Sequence, residues 1–82
     1  MKKLINVATV KERLEKGDAI KAKALRCKSA PGYLLHLYKD DEEMILSTWL
    51  SDKPRLFKRS DALLKEAENM DLPEVVFNFK GE

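Results

Sequence analysis

The sequence predicts a single α+β domain, a small three-stranded sheet of hairpin, helix and strand preceded by an N-terminal helical segment. Three observations predict it. Tyr33–Tyr38 and Met44–Leu50 are short aromatic and aliphatic runs separated by acidic residues, as in a β-hairpin. Ser60–Asp71 carries apolar residues at helical spacing, and Val75–Phe79 alternates apolar residues with more polar ones. A hairpin, a helical crossover and a further strand most simply close a three-stranded sheet. The 82 residues leave room for one core. Residues 1–31 form the helical segment and residues 32–80 the strand–strand–helix–strand unit.

The elements follow in order. Thr9 is a candidate N-cap, with Glu12 completing a capping box, and Gly17 is a natural helix stop. Asp18 then opens a segment, residues 19–28, that carries two periods at once. Ile20, Ala24 and Cys27 share a face at helical spacing, and Ala, Lys and Leu favour helix. Ile20, Ala22 and Ala24 also alternate with Lys21 and Lys23, as in a strand. The helical reading is preferred and the strand stays open. Ser29-Ala30-Pro31-Gly32 is a turn, and Asp40-Asp41-Glu42-Glu43 is the hairpin connection. Residues 51–59 form a loop interrupted by Pro54, with Leu56 and Phe57 turned inward. Ser60 caps the second clear helix, Asp61 sits at its positive end, and Pro73 prevents its continuation. Its apolar stripe is Leu63, Leu64, Ala67 and Met70. The predicted core is Leu35, Leu37, Leu46, Leu63, Leu64, Ala67, Val75 and Phe77.

Charge is plentiful but nearly balanced, 16 Lys and Arg against 14 Asp and Glu. With 44% hydrophobic residues, that balance argues against disorder. The distribution is uneven, because residues 1–39 are strongly basic and residues 40–82 acidic. Such asymmetry arises either from a basic binding face or from a basic half that packs near its acidic counterpart. The start of the chain has no apolar stretch suited to a signal peptide, and no run suits a membrane span. One cysteine allows no internal disulfide, so a cytoplasmic setting is expected.

The residues of familiar active sites are scarce. His36, the only histidine, has no second imidazole or thiolate cluster to share a metal, and is expected as a structural strand residue. Cys27 lies between Arg26 and Lys28, but its place on the Ile20/Ala24 face points to a buried thiol. The acids at 40–43 lack the alternation and glycine of a calcium loop. Three scattered glycines make no phosphate loop. No catalytic residue, metal site or cofactor is assigned, and a non-enzymatic protein is expected.

Two basic groups remain. Lys53, Arg55, Lys58 and Arg59 lead into the helix capped by Ser60, where backbone N–H groups and guanidinium groups together suit a phosphate. Lys21, Lys23, Arg26 and Lys28 form the second, with Lys11, Arg13 and Lys16 upstream. Tyr33, Tyr38 and Trp49 are the candidate stacking residues, and burial in the core is the preferred reading for all three.

The features Gly32-Tyr33-Leu34-Leu35-His36-Leu37-Tyr38, Lys53-Pro54-Arg55-Leu56-Phe57-Lys58 and Ser60-Asp61-Ala62-Leu63-Leu64 resemble small accessory proteins of bacterial plasmids and integrated mobile elements, some with replication or partition labels. The resemblance covers about half the chain and brings no catalytic residues. It implies a bacterial source and a DNA-related accessory role. The expected function is weak nucleic-acid binding through Lys53, Arg55, Lys58 and Arg59, aided by Lys21, Arg26 and Lys28. The rival is a protein-interaction or homodimerising module that buries Tyr38, Ile45 or Trp49.

Overall fold

The computed structural model describes residues 3–48 and 53–79. They form strand β1 (Lys3–Ile5), helix α1 (Val7–Glu15), strands β2 (Lys21–Arg26), β3 (Tyr33–Lys39), β4 (Glu42–Leu46) and β5 (Leu56–Phe57), helix α2 (Ser60–Asn69) and strand β6 (Val76–Asn78). The architecture is α+β, with a mixed six-stranded sheet larger than the three strands predicted. Its order is β1-β4-β3-β2-β6, and β5 pairs with β3 beyond the end of β4. Trp49 and Leu50, assigned to the hairpin, and Lys80, at the end of the last unit, lie outside the described residues.

The main correction is residues 21–26, which form a central strand and not a helix. β2 pairs antiparallel with β3 from Lys21↔Tyr38 to Arg26↔Tyr33, and parallel with β6. Helix propensity favours Ala, but pairing on both edges and burial of alternate side chains outweigh it. Ala22 and Ala24 are buried while Lys21 and Lys23 are exposed. The alternation decides.

Paired residues share a face, so the register divides the sheet cleanly. Ala22, Ala24, Leu35, Leu37, Met44, Leu46 and Phe57 lie on one face and join one core with Val10 of α1, Leu63 and Ala67 of α2, and Met70, the α2 C-cap. The opposite face carries Leu25, Leu34, His36 and Ile45, which are buried outside that core.

Helix α1 starts earlier than predicted. Asn6 is its N-cap, and its side-chain oxygen accepts the Thr9 N–H at 2.8 Å. Thr9 is thus within the first turn, and Glu12 pairs with Lys16 instead of closing a capping box. At the other end Gly17 takes φ +93°, Gly17 N–H donates to Leu14 and Asp18 N–H to Arg13. Those two bonds are a Schellman ending, which favours glycine at the left-handed position. Helix α2 ends the same way, with Asp71 at φ 64° and Leu72 N–H donating to Ala67. At its start Arg59 occupies the N-cap with no side-chain cap bond, and Ser60 is already helical.

The hairpin turn is only Asp40-Asp41, with Lys39 opposite Glu42. Glu42 and Glu43 belong to β4. Beyond β4, Thr48 N–H donates to Lys53 and Arg55 N–H to Leu46, so the chain leaves the sheet and returns to it as β5.

The core prediction holds for Leu35, Leu37, Leu46, Leu63 and Ala67, and fails at Leu64. Leu63, Ala67 and Met70 already complete the buried stripe, and Leu64 is rotated off it to 41% exposure. Val75 and Phe77 are half-buried at its edge. Leu63→Ala is therefore expected to destabilise the chain by about 2–5 kcal/mol through a buried cavity. Leu64→Ala should cost about 0.5 kcal/mol, as surface changes do. Urea unfolding of the two variants measures both. Equal losses would mean that the helix face is misassigned.

Candidate nucleic-acid interface

The strand register decides where each basic residue lies. Arg26 pairs with Tyr33, Tyr33 with Phe57, and Leu25 with Asn78. The end of β2, the start of β3, the end of β5 and the end of β6 therefore share one end of the sheet. Arg26 and Lys28 come to it from the β2–β3 side, and Lys58 and Arg59 from the β5–α2 junction. All four are exposed.

Gly32 lets these segments approach. Its φ is +130°, and a Cβ there would lie 2.5 Å from the Phe57 carbonyl oxygen. No larger residue fits without moving β5 away. The Gly32 carbonyl also accepts Cys27 N–H at 2.9 Å, closing the β2–β3 loop. The two halves of the basic surface are thus joined by backbone packing.

The same end carries an aromatic shelf. Tyr33 and Phe77 meet edge to face with centroids 5.5 Å apart, and Phe79 lies 6.3 Å from Phe77 and 6.4 Å from Tyr33. Phe79 is 65% exposed. The three rings line a cleft of about 200 Å³ with Leu64 and Ser60 of α2. Sequence reasoning placed Tyr33 among the stacking residues but assigned Phe77 to the core and gave Phe79 no role. An alternating strand that runs past its pairing partner leaves its last apolar residue uncovered, and the alternation alone does not show where the pairing stops.

The other predicted site residues are elsewhere. Arg55 is engaged: its guanidinium lies 2.7 Å from Glu66 and 4.7 Å above the Phe57 ring. That packing fastens α2 to β5. Lys53 is exposed where the chain returns to the sheet. Lys21 and Lys23 project from the face away from the helices, with the Lys23 ammonium 5.5 Å from the Tyr38 ring centroid. Because β2 is a strand, Lys21 and Lys28 share no helical side. Cys27 falls just past β2 and is half-exposed, with Ser29 Oγ 3.3 Å from its sulfur, so the buried-thiol expectation is corrected. Part of the basic half packs onto the acidic half: Lys3 and Arg13 both reach Glu42, at 3.7 and 3.3 Å.

His36 is fully buried, and its Nδ1 lies 3.0 Å from Glu43 across the β3–β4 pair. A carboxylate only accepts, so Nδ1 carries the proton. Nε2 is buried without a partner. A nitrogen sealed from solvent reaches no substrate, and the pair pins two strands together. Tyr38 also bonds Glu43. Partial burial, then the adjacent Glu43 charge and the hydrogen bond to it, raise the phenol above its usual range. Of the residues proposed for a homodimer contact, Ile45 is already buried within the chain, Tyr38 is engaged in this way, and Trp49 lies outside the described residues.

Among the described residues no group of three or more His, Cys, Asp or Glu is placed to hold a metal, and no helix is long and apolar enough to cross a membrane. Comparison of the chain with protein-family models, curated proteins and solved structures gives no match.

The Tyr38 arrangement has a pH consequence. Because the folded chain holds the phenolic proton more tightly than the unfolded one, the associated stability is fully present below pH ~10, the usual tyrosine value, and is lost as pH rises through the raised folded value. Tyr38→Phe is expected to lower the neutral-pH midpoint slightly and to flatten the alkaline decline. Thermal midpoints measured from neutral to alkaline pH test this, and an unchanged alkaline slope in the variant would contradict it.

Proposed function

We propose that the chain is a small non-enzymatic binding module that takes single-stranded nucleic acid across the end of the sheet bearing Tyr33, Phe77 and Phe79. The observation that carries this reading is the exposed Phe79 ring, held by two other aromatic rings amid Arg26, Lys28, Lys58 and Arg59. Aromatic faces accept an unstacked base of any identity, and lysine and arginine neutralise the flanking phosphates. A duplex offers no free base face, so single strands suit the shelf better. Arg59 is tethered to Asp61 at 3.1 Å, an exposed pair that a phosphate can displace at little cost. The resemblance to mobile-element accessory proteins fits a module that handles DNA strands.

A second reading rests on the apolar part of the same shelf. Leu64 and Phe79 are exposed beside β6, an edge strand, and a protein partner could cover them. Salt distinguishes the two, because apolar docking does not release counterions.

Fluorescence anisotropy with a labelled oligothymidylate and a matched duplex is the test. The single strand should bind more tightly, with a log–log salt slope of about −0.7 per neutralised phosphate. Phe79→Ala should weaken binding by the equivalent of about 1–3 kcal/mol, one stacked base. Lys58→Glu with Arg59→Glu should abolish it while the fold persists. Absence of binding at low salt by folded protein overturns the reading, as does binding that survives both changes.

A further inference from the structure

The opposite end of the sheet holds a larger cleft, about 530 Å³, that the nucleic-acid reading does not use. Its walls come from four places in the chain: Leu14 near the end of α1, Asp18, Ala19 and Ile20 in the link to β2, Tyr38 and Asp40 at the end of β3, and Pro73 after α2. Lys21, the first residue of β2, completes the lining. Leu14 and Ile20 belong to the helix-side core, whereas Lys21 and Tyr38 pair on the other face, so the cleft wraps around the end of the sheet.

Its charges are specific. Asp18 is neutralised by Lys39, whose ammonium lies 3.0 Å away. That ion pair also ties the end of β3 to the link before β2 and so frames the opening. Two charged side chains remain, Lys21 and Asp40, both exposed and neither in an ion pair among the described residues. The cleft thus presents one unpaired cation and one unpaired anion over an apolar hollow of leucine, isoleucine, alanine and proline. Its volume falls within the range of small-molecule sites.

We propose that this cleft binds a free zwitterionic α-amino acid with an apolar side chain. The ligand carboxylate meets Lys21, its ammonium meets Asp40, and its side chain lies against Leu14, Ile20 and Pro73. A ligand with a single charge leaves one of the two protein charges unmatched. The recognition is additive and rim-exposed, so affinity is modest and each charge contributes severalfold, not by orders of magnitude.

The experiment is an amide chemical-shift titration of the full chain with L-phenylalanine, 2-phenylethylamine and 3-phenylpropionate, which share a ring and differ in charge. L-Phenylalanine should give saturable shifts at Leu14, Ala19, Ile20 and Lys21, with both single-charge compounds about fivefold weaker. Asp40→Asn should erase the advantage of L-phenylalanine over 3-phenylpropionate, and Lys21→Gln its advantage over 2-phenylethylamine. Both positions are exposed, so the variants keep the wild-type spectrum elsewhere. No saturable shift at millimolar ligand overturns the proposal. Equal binding of all three compounds overturns it as well, because the charges would then play no part.

Discussion

The β2–β3 ladder is the constraint on which the rest of the structure depends. Six residue pairs, from Lys21↔Tyr38 to Arg26↔Tyr33, join the two central strands. β2 also receives β6, and β3 receives both β4 and β5 along its other side. The small side chains of Ala22 and Ala24 meet Leu37 and Leu35 on the face where both helices pack, so the middle of the sheet lets the helices come close. Were the register shifted by one residue, Lys21 and Lys23 would enter the core and the alanines would face solvent.

From that ladder the two ends of the molecule acquire different characters. One end collects Arg26, Tyr33, Phe57 and the β6 terminus because β2 ends where β3 begins, and Gly32 allows β5 to close against their connection. The other end collects the end of α1, the start of β2 and the hairpin turn, and the Asp18–Lys39 pair holds them around a hollow. Between them, His36 and Glu43 fasten β3 to β4. The sheet separates an aromatic and basic surface from an amphipathic cleft, and the two are chemically independent.

Much of this was legible in the sequence. The hairpin, α2 and the last strand follow from periodicity and from Gly and Pro punctuation, which depend on local chemistry alone. Residues 21–26 were ambiguous because Ala and Lys are strong helix formers, and only pairing partners distant in sequence could overrule them. β1 and β5 are too short to show a period, so neither was predicted. For the site, Arg26, Lys28, Lys58 and Arg59 are exposed, but their grouping depends on the register and was not visible in the sequence. Arg55 looked like its neighbours and differs only because Glu66, nearly two helical turns into α2, meets its guanidinium. Phe79 was overlooked, since an alternating strand pattern gives no sign of where its pairing stops.

The central claim is that one end of the sheet unites the aromatic shelf with Arg26, Lys28, Lys58 and Arg59 in a single binding surface. A two-dimensional ¹H–¹⁵N spectrum, recorded while an oligothymidylate is added at low salt, tests it most directly. The account predicts shifts confined to residues 26–33, 58–64 and 76–79, with Lys21, Lys23 and Lys53 unmoved. Shifts centred on Lys21 and Lys23, with Phe79 and Arg59 unchanged, would contradict it.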